Sequence, residues 1–165
     1  MDGYRLGGMD ATEKRETYRQ IVAQLQEVLR GLDDEIAAMA SCAALLKENV
    51  PYASWAGFYR RVEPRLLRVG PYQGPLGCLE VTWDRGVCGA AAREKRTQLV
   101  PDVDAFAGHI ACDPRARSEV AVPIVGADGE VTAVLDLDSH EPGAFDETDV
   151  AGLEEIARIL APGPA

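Results

Sequence analysis

The sequence predicts an α+β domain: a central, mostly antiparallel sheet with N-terminal and C-terminal helices packed on one face. Three observations predict it. Apolar residues recur at helical spacing near both ends of the chain. The middle consists of short apolar runs separated by Gly, Pro and Asp turns. Strands joined by such short turns pair antiparallel, and terminal helices then cover the resulting sheet. A chain of 165 residues corresponds to about one domain. It is long enough to bury a core without help from disulfides or metal.

Residues 1–11 contain three glycines and read as a flexible leader, leaving 12–162 as a single domain. Thr12, with Glu13 and Glu16, reads as the N-cap of a first helix. Ile21, Leu25, Val28, Leu29 and Leu32 form its apolar face. Asp33 or Asp34 caps a second helix running to about Glu48, with Ile36, Met39, Ala40, Ala43 and Leu46 on one face and Pro51 ending it. Trp55–Arg60 and Leu66–Val69 read as a hairpin across Glu63-Pro64, followed by a loop from Gly70 to Gly77. Cys78–Thr82 is a strand, and Gly86-Val87-Cys88-Gly89 opens a short helix. Gln98–Val100 is a short strand ended by Pro101. Residues 101–117 form a loop long enough to suggest function. Glu119–Val125 and Val131–Leu137 flank Ala127-Asp128-Gly129 in the clearest hairpin of the chain. A last amphipathic helix spans Phe145–Ala161, with Val150, Leu153, Ile156, Ala157 and Leu160 on one face.

The formal charge is −10, and its distribution is uneven. Eleven acidic residues and no Lys or Arg fall between Ser118 and Ala157. The chain lacks the basic face that phosphate binding requires, so neither nucleic acid nor an anionic membrane is an expected partner. No apolar run reaches the roughly 20 residues of a membrane span, and Met1–Arg19 has no apolar core for a signal peptide. A cytoplasmic protein is expected, with its four cysteines, Cys42, Cys78, Cys88 and Cys112, as reduced thiols.

Cys42 lies among alanines and reads as a small core residue. Cys78, Cys88 and Cys112 each fall at a loop or junction. Cys88 sits at a helix start, where amide N–H groups and the helix dipole favour a thiolate. Cys112 pairs in principle with His109 or His140 as a Cys–His nucleophile, and His109, Cys112, Cys88 and Cys78 are a conceivable tetrahedral set that no spacing supports, so no metal is expected. Asp136 and Asp138 are two apart on a strand and share a sheet face. A hairpin centred on Asp128-Gly129 brings Glu119 near both, beside the Cys112 loop. Like charges this close repel unless they are solvated or serve a cation, and a solvated face is the plain alternative. Trp55 and Tyr59, four apart on one strand, share a face; core packing fits Tyr59, and a small apolar pocket wall fits Trp55.

Seven segments occur together in order: Ser54-Trp55-Ala56-Gly57-Phe58-Tyr59, Gly70-Pro71-Tyr72-Gln73-Gly74, Gly86-Val87-Cys88-Gly89, Gln98-Leu99-Val100-Pro101-Asp102-Val103, Gly108-His109-Ile110-Ala111-Cys112-Asp113, Arg117-Ser118-Glu119 and Val134-Leu135-Asp136-Leu137-Asp138-Ser139. Over residues 17–160 the chain resembles the free methionine-(R)-sulfoxide reductases, which are single GAF domains. The resemblance implies a GAF domain that reduces free methionine R-sulfoxide. It implies Cys112 as the attacking thiolate that becomes a sulfenic acid. Cys78 becomes the main resolving thiol, with Cys88 a second candidate. Thioredoxin, kept reduced by its NADPH-dependent reductase, acts as external reductant, and no bound cofactor is needed. Glu119 is implied as proton donor, Asp138 with Asp136 as carboxylates that bind the substrate ammonium or support polarisation of the sulfoxide, Trp55 as the aromatic wall for its methyl group, and Tyr59 as a further substrate-binding residue. Backbone N–H groups around Ala116–Ser118 are candidates for the substrate carboxylate. A homodimer is also implied. The sequence departs from the family pattern at Asp104, where His is common, and at Ala107, where Pro is common. A sensory GAF module would bring an output domain not expected within 165 residues; a non-catalytic thiol switch would use a Cys78–Cys112 disulfide without turnover.

Overall fold

The computed structural model describes residues 8–163. The elements run α1 (Ala11–Val28), α2 (Glu35–Asn49), β1 (Trp55–Glu63), β2 (Leu66–Gln73), β3 (Glu80–Thr82), α3 (Gly86–Glu94), β4 (Gln98–Val100), a 3-10 turn (Val103–Ala105), β5 (Ser118–Val125), β6 (Val131–Ser139) and α4 (Glu147–Leu160). The expected leader lies largely outside the described residues. The first helix is capped two residues earlier than the Thr12 reading, by Asp10. Its carboxylate accepts from the N–H groups of Thr12 and Glu13, and Glu13 answers by accepting from the Asp10 N–H, closing a capping box. Asp34, not Asp33, caps α2.

Six strands form one sheet in the order β3-β2-β1-β6-β5-β4, with every pairing antiparallel. The sheet divides the interior in two. One face packs Ala56, Phe58, Val120, Val122, Leu135 and Leu137 against α1, α2 and α4. On α2 the buried residues are Met39, Cys42, Ala43 and Leu46, while Ile36 and Ala40, expected on the same face, lie at the surface. Val28 and Leu32 of the expected α1 face are likewise exposed. The other face packs Trp55, Tyr59, Leu67, Val81, Ala121 and Val134 against α3 and the loop 101–117. Coverage on both faces explains why Trp55–Tyr59 is a continuous buried run without polar alternation.

The second strand is longer than expected, since Gly70–Gln73 continues β2 where turn residues predicted a loop. Gly57 pairs with Tyr72 and Tyr59 with Val69, so one β1 residue faces two of β2. Gly70 and Pro71 occupy that bulge, and β3 pairs only with Leu66–Arg68, so the missing Pro71 N–H breaks no ladder on that side. The third strand is shorter than expected: Cys78 and Leu79 precede Glu80–Thr82.

Helices α1 and α4 are joined by buried polar groups. Lys14 Nζ lies 2.6 Å from Asp149 Oδ2 and donates to the Ala144 carbonyl at 3.1 Å. The hydroxyls of Tyr18 and Tyr52 donate to Asp149 Oδ1 at 2.9 and 2.5 Å. Every oxygen of a fully buried carboxylate is thus answered, which is the condition for burying charge at tolerable cost.

Candidate active site

Three elements of the α3-side face converge on one pocket. Register across β5–β6 sets Glu119 opposite Asp138 and Ala121 opposite Asp136. The adjoining ladder sets Trp55 opposite Asp138 and Gly57 opposite Asp136. Glu119, Asp136 and Asp138 therefore sit at one end of two central strands, as the hairpin arithmetic predicted. Their environment differs from the solvated alternative: Glu119 is 6% and Asp136 4% exposed. The missing signal was the cover, which comes from α3 and the loop 101–117, distant in sequence.

The pocket has about 520 Å³ of empty space, counting its open mouth. Trp55, Tyr59, Cys88, His109, Cys112, Glu119, Asp136 and Asp138 are among its lining residues, and no Lys or Arg among the described residues is. Trp55 stacks on Tyr59 at 5.7 Å between ring centroids and on Tyr72 at 5.1 Å. A Cβ at Gly57 would overlap Tyr72 and the Trp55 ring, so this stack depends on glycine there. The Trp55 indole N–H donates to the Pro75 carbonyl at 3.0 Å, tying the segment before Cys78 to the pocket wall.

Cys78 and Cys112 are joined in a disulfide, their Cα atoms 5.2 Å apart. This differs from the expectation of four reduced thiols. It links the β2–β3 connection to the loop 101–117, and its Cys112 half lines the pocket. It also removes two members of the conceivable Cys78, Cys88, His109, Cys112 metal set. Cys112 is exposed and Cys78 half-buried.

Cys88 lies on the pocket floor, its sulfur 3.9 Å from Glu119 Oε1. The expectation of a favoured thiolate is reversed here. Burial, then the charges of Asp136, Glu119 and Asp138, push the Cys88 thiol well above its ordinary value. Cys42 is free and fully buried in the opposite core, its thiol pushed up to about 12 by burial.

Burial is also the main force on the carboxyls. It raises Glu119, helped by the charge of Asp138. It raises Asp136, helped by Glu119, and it raises Asp138, helped by Asp136 and Asp113. A set of crowded, desolvated acids holds protons that isolated acids would lose. Tyr59 is raised for the same reasons.

His109, a candidate partner of Cys112 in the sequence, instead has Nε2 3.6 Å from Glu119 Oε2 and is held toward its neutral form by burial. Its loop is anchored where the Gly86 N–H, at a φ of 73°, donates to the Gly108 carbonyl at 2.9 Å. His140 instead faces Asp113 at 2.9 Å. Arg115 and His140 hold the Asp113 carboxyl down at about 2, Arg115 contributing most. Two of the amides expected to bind a substrate carboxylate are already used: Ala116 N–H donates to Asp113 O and Arg117 N–H to Ser139 O. Asp104 lies exposed in the 3-10 turn, its N–H donating to Asp102 Oδ1.

An antiparallel six-stranded sheet with three helices on one face, and a ligand pocket under a helix and long loop on the other, defines a GAF domain. The GAF domain profile matches residues 11–162. A Zymomonas mobilis protein is 41% identical over 89% of this chain and 91% of its own length. The free methionine-R-sulfoxide reductase of Saccharomyces cerevisiae is 35% identical over 89% of this chain and 85% of its own. The structure of the Neisseria meningitidis free methionine-R-sulfoxide reductase in complex with its substrate superposes with a TM-score of 0.85 at 40% identity, covering 97% of this chain and 93% of that one. The chain belongs to the GAF-domain family of free methionine-R-sulfoxide reductases.

Proposed function

We propose that the protein reduces free methionine-R-sulfoxide to methionine, with Cys112 as nucleophile and Cys78 as resolving thiol. The observation that carries this reading is the Cys78–Cys112 disulfide, whose Cys112 lines one pocket with Glu119, Asp136, Asp138 and Trp55.

In the reduced enzyme the Cys112 thiolate attacks the sulfoxide sulfur while Glu119 protonates the sulfoxide oxygen. Methionine leaves with its sulfur reduced by two electrons, and Cys112 is oxidised to the sulfenic acid. The Cys78 thiol attacks Cys112, the S–O bond breaks, and water leaves as the disulfide forms. Thioredoxin, itself reduced by its NADPH-dependent reductase, then returns both thiols by exchange. The raised affinity of Glu119 for its proton supports the donor role, since a carboxyl ionised at neutral pH has no proton to give. Asp136 and Asp138 meet the substrate ammonium, and the Trp55–Tyr59 stack bounds the methyl group.

Cys88 was the other candidate for resolution. Its burial beside carboxyls opposes the thiolate that such an attack needs, which favours Cys78. Cys78 is also flanked by Leu76 and Leu79, 84% and 74% exposed, an apolar surface suited to a thioredoxin approaching the disulfide. Exposed Val28, Leu32 and Ile36 near the junction of α1 and α2 support a homodimer. No helix among the described residues is long and apolar enough to cross a membrane. A catalytic disulfide is compatible with the reducing cytoplasm, where this reading places the protein.

The test is thioredoxin-coupled turnover on separated R and S sulfoxides, each as the free amino acid and within a peptide. The reading predicts activity on the free R isomer alone. Equal activity on both isomers, or activity on the peptide, overturns it.

A further inference from the structure

We propose that Cys88, Glu119 and Asp136 form a binding site for a thiophilic divalent cation of the Zn2+ class, whose occupancy excludes substrate from the pocket. The metal site stands on its own geometry; its competition with substrate rests on the reductase reading.

One ligand atom from each residue lies within 4.8 Å of the other two, and Cys88 Sγ is 3.9 Å from Glu119 Oε1. Zinc bonds of about 2.3 Å to sulfur and 2.0–2.2 Å to oxygen place tetrahedral ligands roughly 3.3–3.7 Å apart. No pair in the cluster needs to close by more than about 1.5 Å to meet that geometry. A second observation points to a ligand: among the described residues, Asp136 Oδ1 is buried with no hydrogen-bond partner. A buried carboxylate oxygen left unanswered is costly, and a cation resolves it.

The three ligands come from three regular elements, α3, β5 and β6, rather than from loops. Among the described residues, no Lys or Arg lines the pocket to compete for the carboxylates. His109 Nε2, 3.6 Å from Glu119 Oε2, stands at the edge of the set, so the fourth position falls to it or to water. The sulfur ligand selects the cation class. Magnesium and calcium take oxygen ligands, whereas thiolate with imidazole and carboxylate suits zinc and cadmium. Binding involves no electron transfer. The S–H bond of Cys88 breaks as the metal–sulfur bond forms, and protons held by Cys88 and by the carboxyls pass to solvent. The cation then occupies the oxygens that the reductase reading assigns to the sulfoxide and the ammonium.

The oxidised chain allows a clean test, because the disulfide withholds Cys78 and Cys112 and leaves Cys42 and Cys88 as the free thiols. Cadmium is titrated while the ultraviolet thiolate-to-cadmium charge-transfer band is followed, with zinc as competitor. The proposal predicts one cadmium per chain, displacement by zinc but not magnesium, and release of protons into weak buffer. The band persists in Cys42→Ser and is lost in Cys88→Ser. Asp136→Asn, which keeps both thiols, weakens binding at least tenfold. A band that is absent from the wild-type chain, survives in Cys88→Ser or is unchanged by Asp136→Asn overturns the site. In a chain carrying Cys78→Ser and Cys112→Ser, which lacks the disulfide, free methionine-R-sulfoxide should compete with cadmium. Cadmium binding through Cys88 without such competition keeps the metal site and removes its overlap with substrate.

Discussion

Glu119 combines two properties that pull in opposite directions. Its burial beside Asp138 and Asp136 raises its proton affinity, which suits an acid catalyst. The same burial makes the ionised form costly. Because the folded state holds the proton more tightly than the unfolded chain, the native state loses stability as pH rises from the ordinary value of 4.5 toward the raised one. Glu119→Gln removes that loss. It should gain about 1 kcal/mol near neutral pH, or about 3 °C in Tm. The gain should shrink as pH falls and vanish below 4.5. The same variant should lower kcat by about 10²- to 10⁴-fold, with a smaller change in KM. Thermal melts across pH and steady-state kinetics check the two halves. An unchanged kcat would rule out the donor role. The position of Glu119 opposite Asp138 was legible from the hairpin alone. Its burial was not, because side chains on α3 and the Cys112 loop supply it. The reversal at Cys88 has the same origin: a helix start favours a thiolate only where water or a cation is near, and here carboxyls are.

At the scale of elements, turn chemistry and capping were legible where they act locally. Asp34 and the Asp128-Gly129 turn needed no distant partner. The run Gly70–Gln73 continues β2 rather than forming a loop because Gly and Pro, ordinarily breakers, occupy a bulge whose partner lies in β1. The cap of α1 shifted from Thr12 to Asp10 because both residues are good caps and Glu13 completes the box only with Asp10. Invisible in the sequence was the joint between α1 and α4, where Lys14 is 4% exposed and Asp149 fully buried. Lys14→Ala leaves that carboxylate without its cation. It should cost about 3 kcal/mol, lowering Tm by about 10 °C. A loss below about 1 kcal/mol in denaturant titration would show that the tyrosine hydroxyls and the Asp146 N–H suffice.

For the whole molecule, the formal charge of −10 counts Glu119, Asp136 and Asp138 as ionised. Burial holds all three toward the neutral form, so the folded protein is less acidic than the count. The acidic C-terminal stretch thus divides into exposed charge, such as Asp146 and Glu147 at the start of α4, the buried Asp149 paired with Lys14, and a buried set in the pocket. The surface around the disulfide offers a prediction about the reductant. Leu79 is 74% exposed and does not line the pocket. Leu79→Ser should raise KM for thioredoxin several-fold while leaving methionine formation in a single turnover unchanged. A loss in the single turnover instead would place Leu79 in substrate binding.

The assignment of Cys112 and Cys78 is the centre of the account, and a single-turnover experiment reads it directly. Pre-reduced chains are mixed with free methionine-R-sulfoxide, without thioredoxin, and methionine is counted per chain. The wild type and Cys78→Ser should each release one equivalent, and only the wild type should end with the disulfide. Cys112→Ser, still folded, should release none. Methionine from Cys112→Ser would contradict the account, as would none from Cys78→Ser.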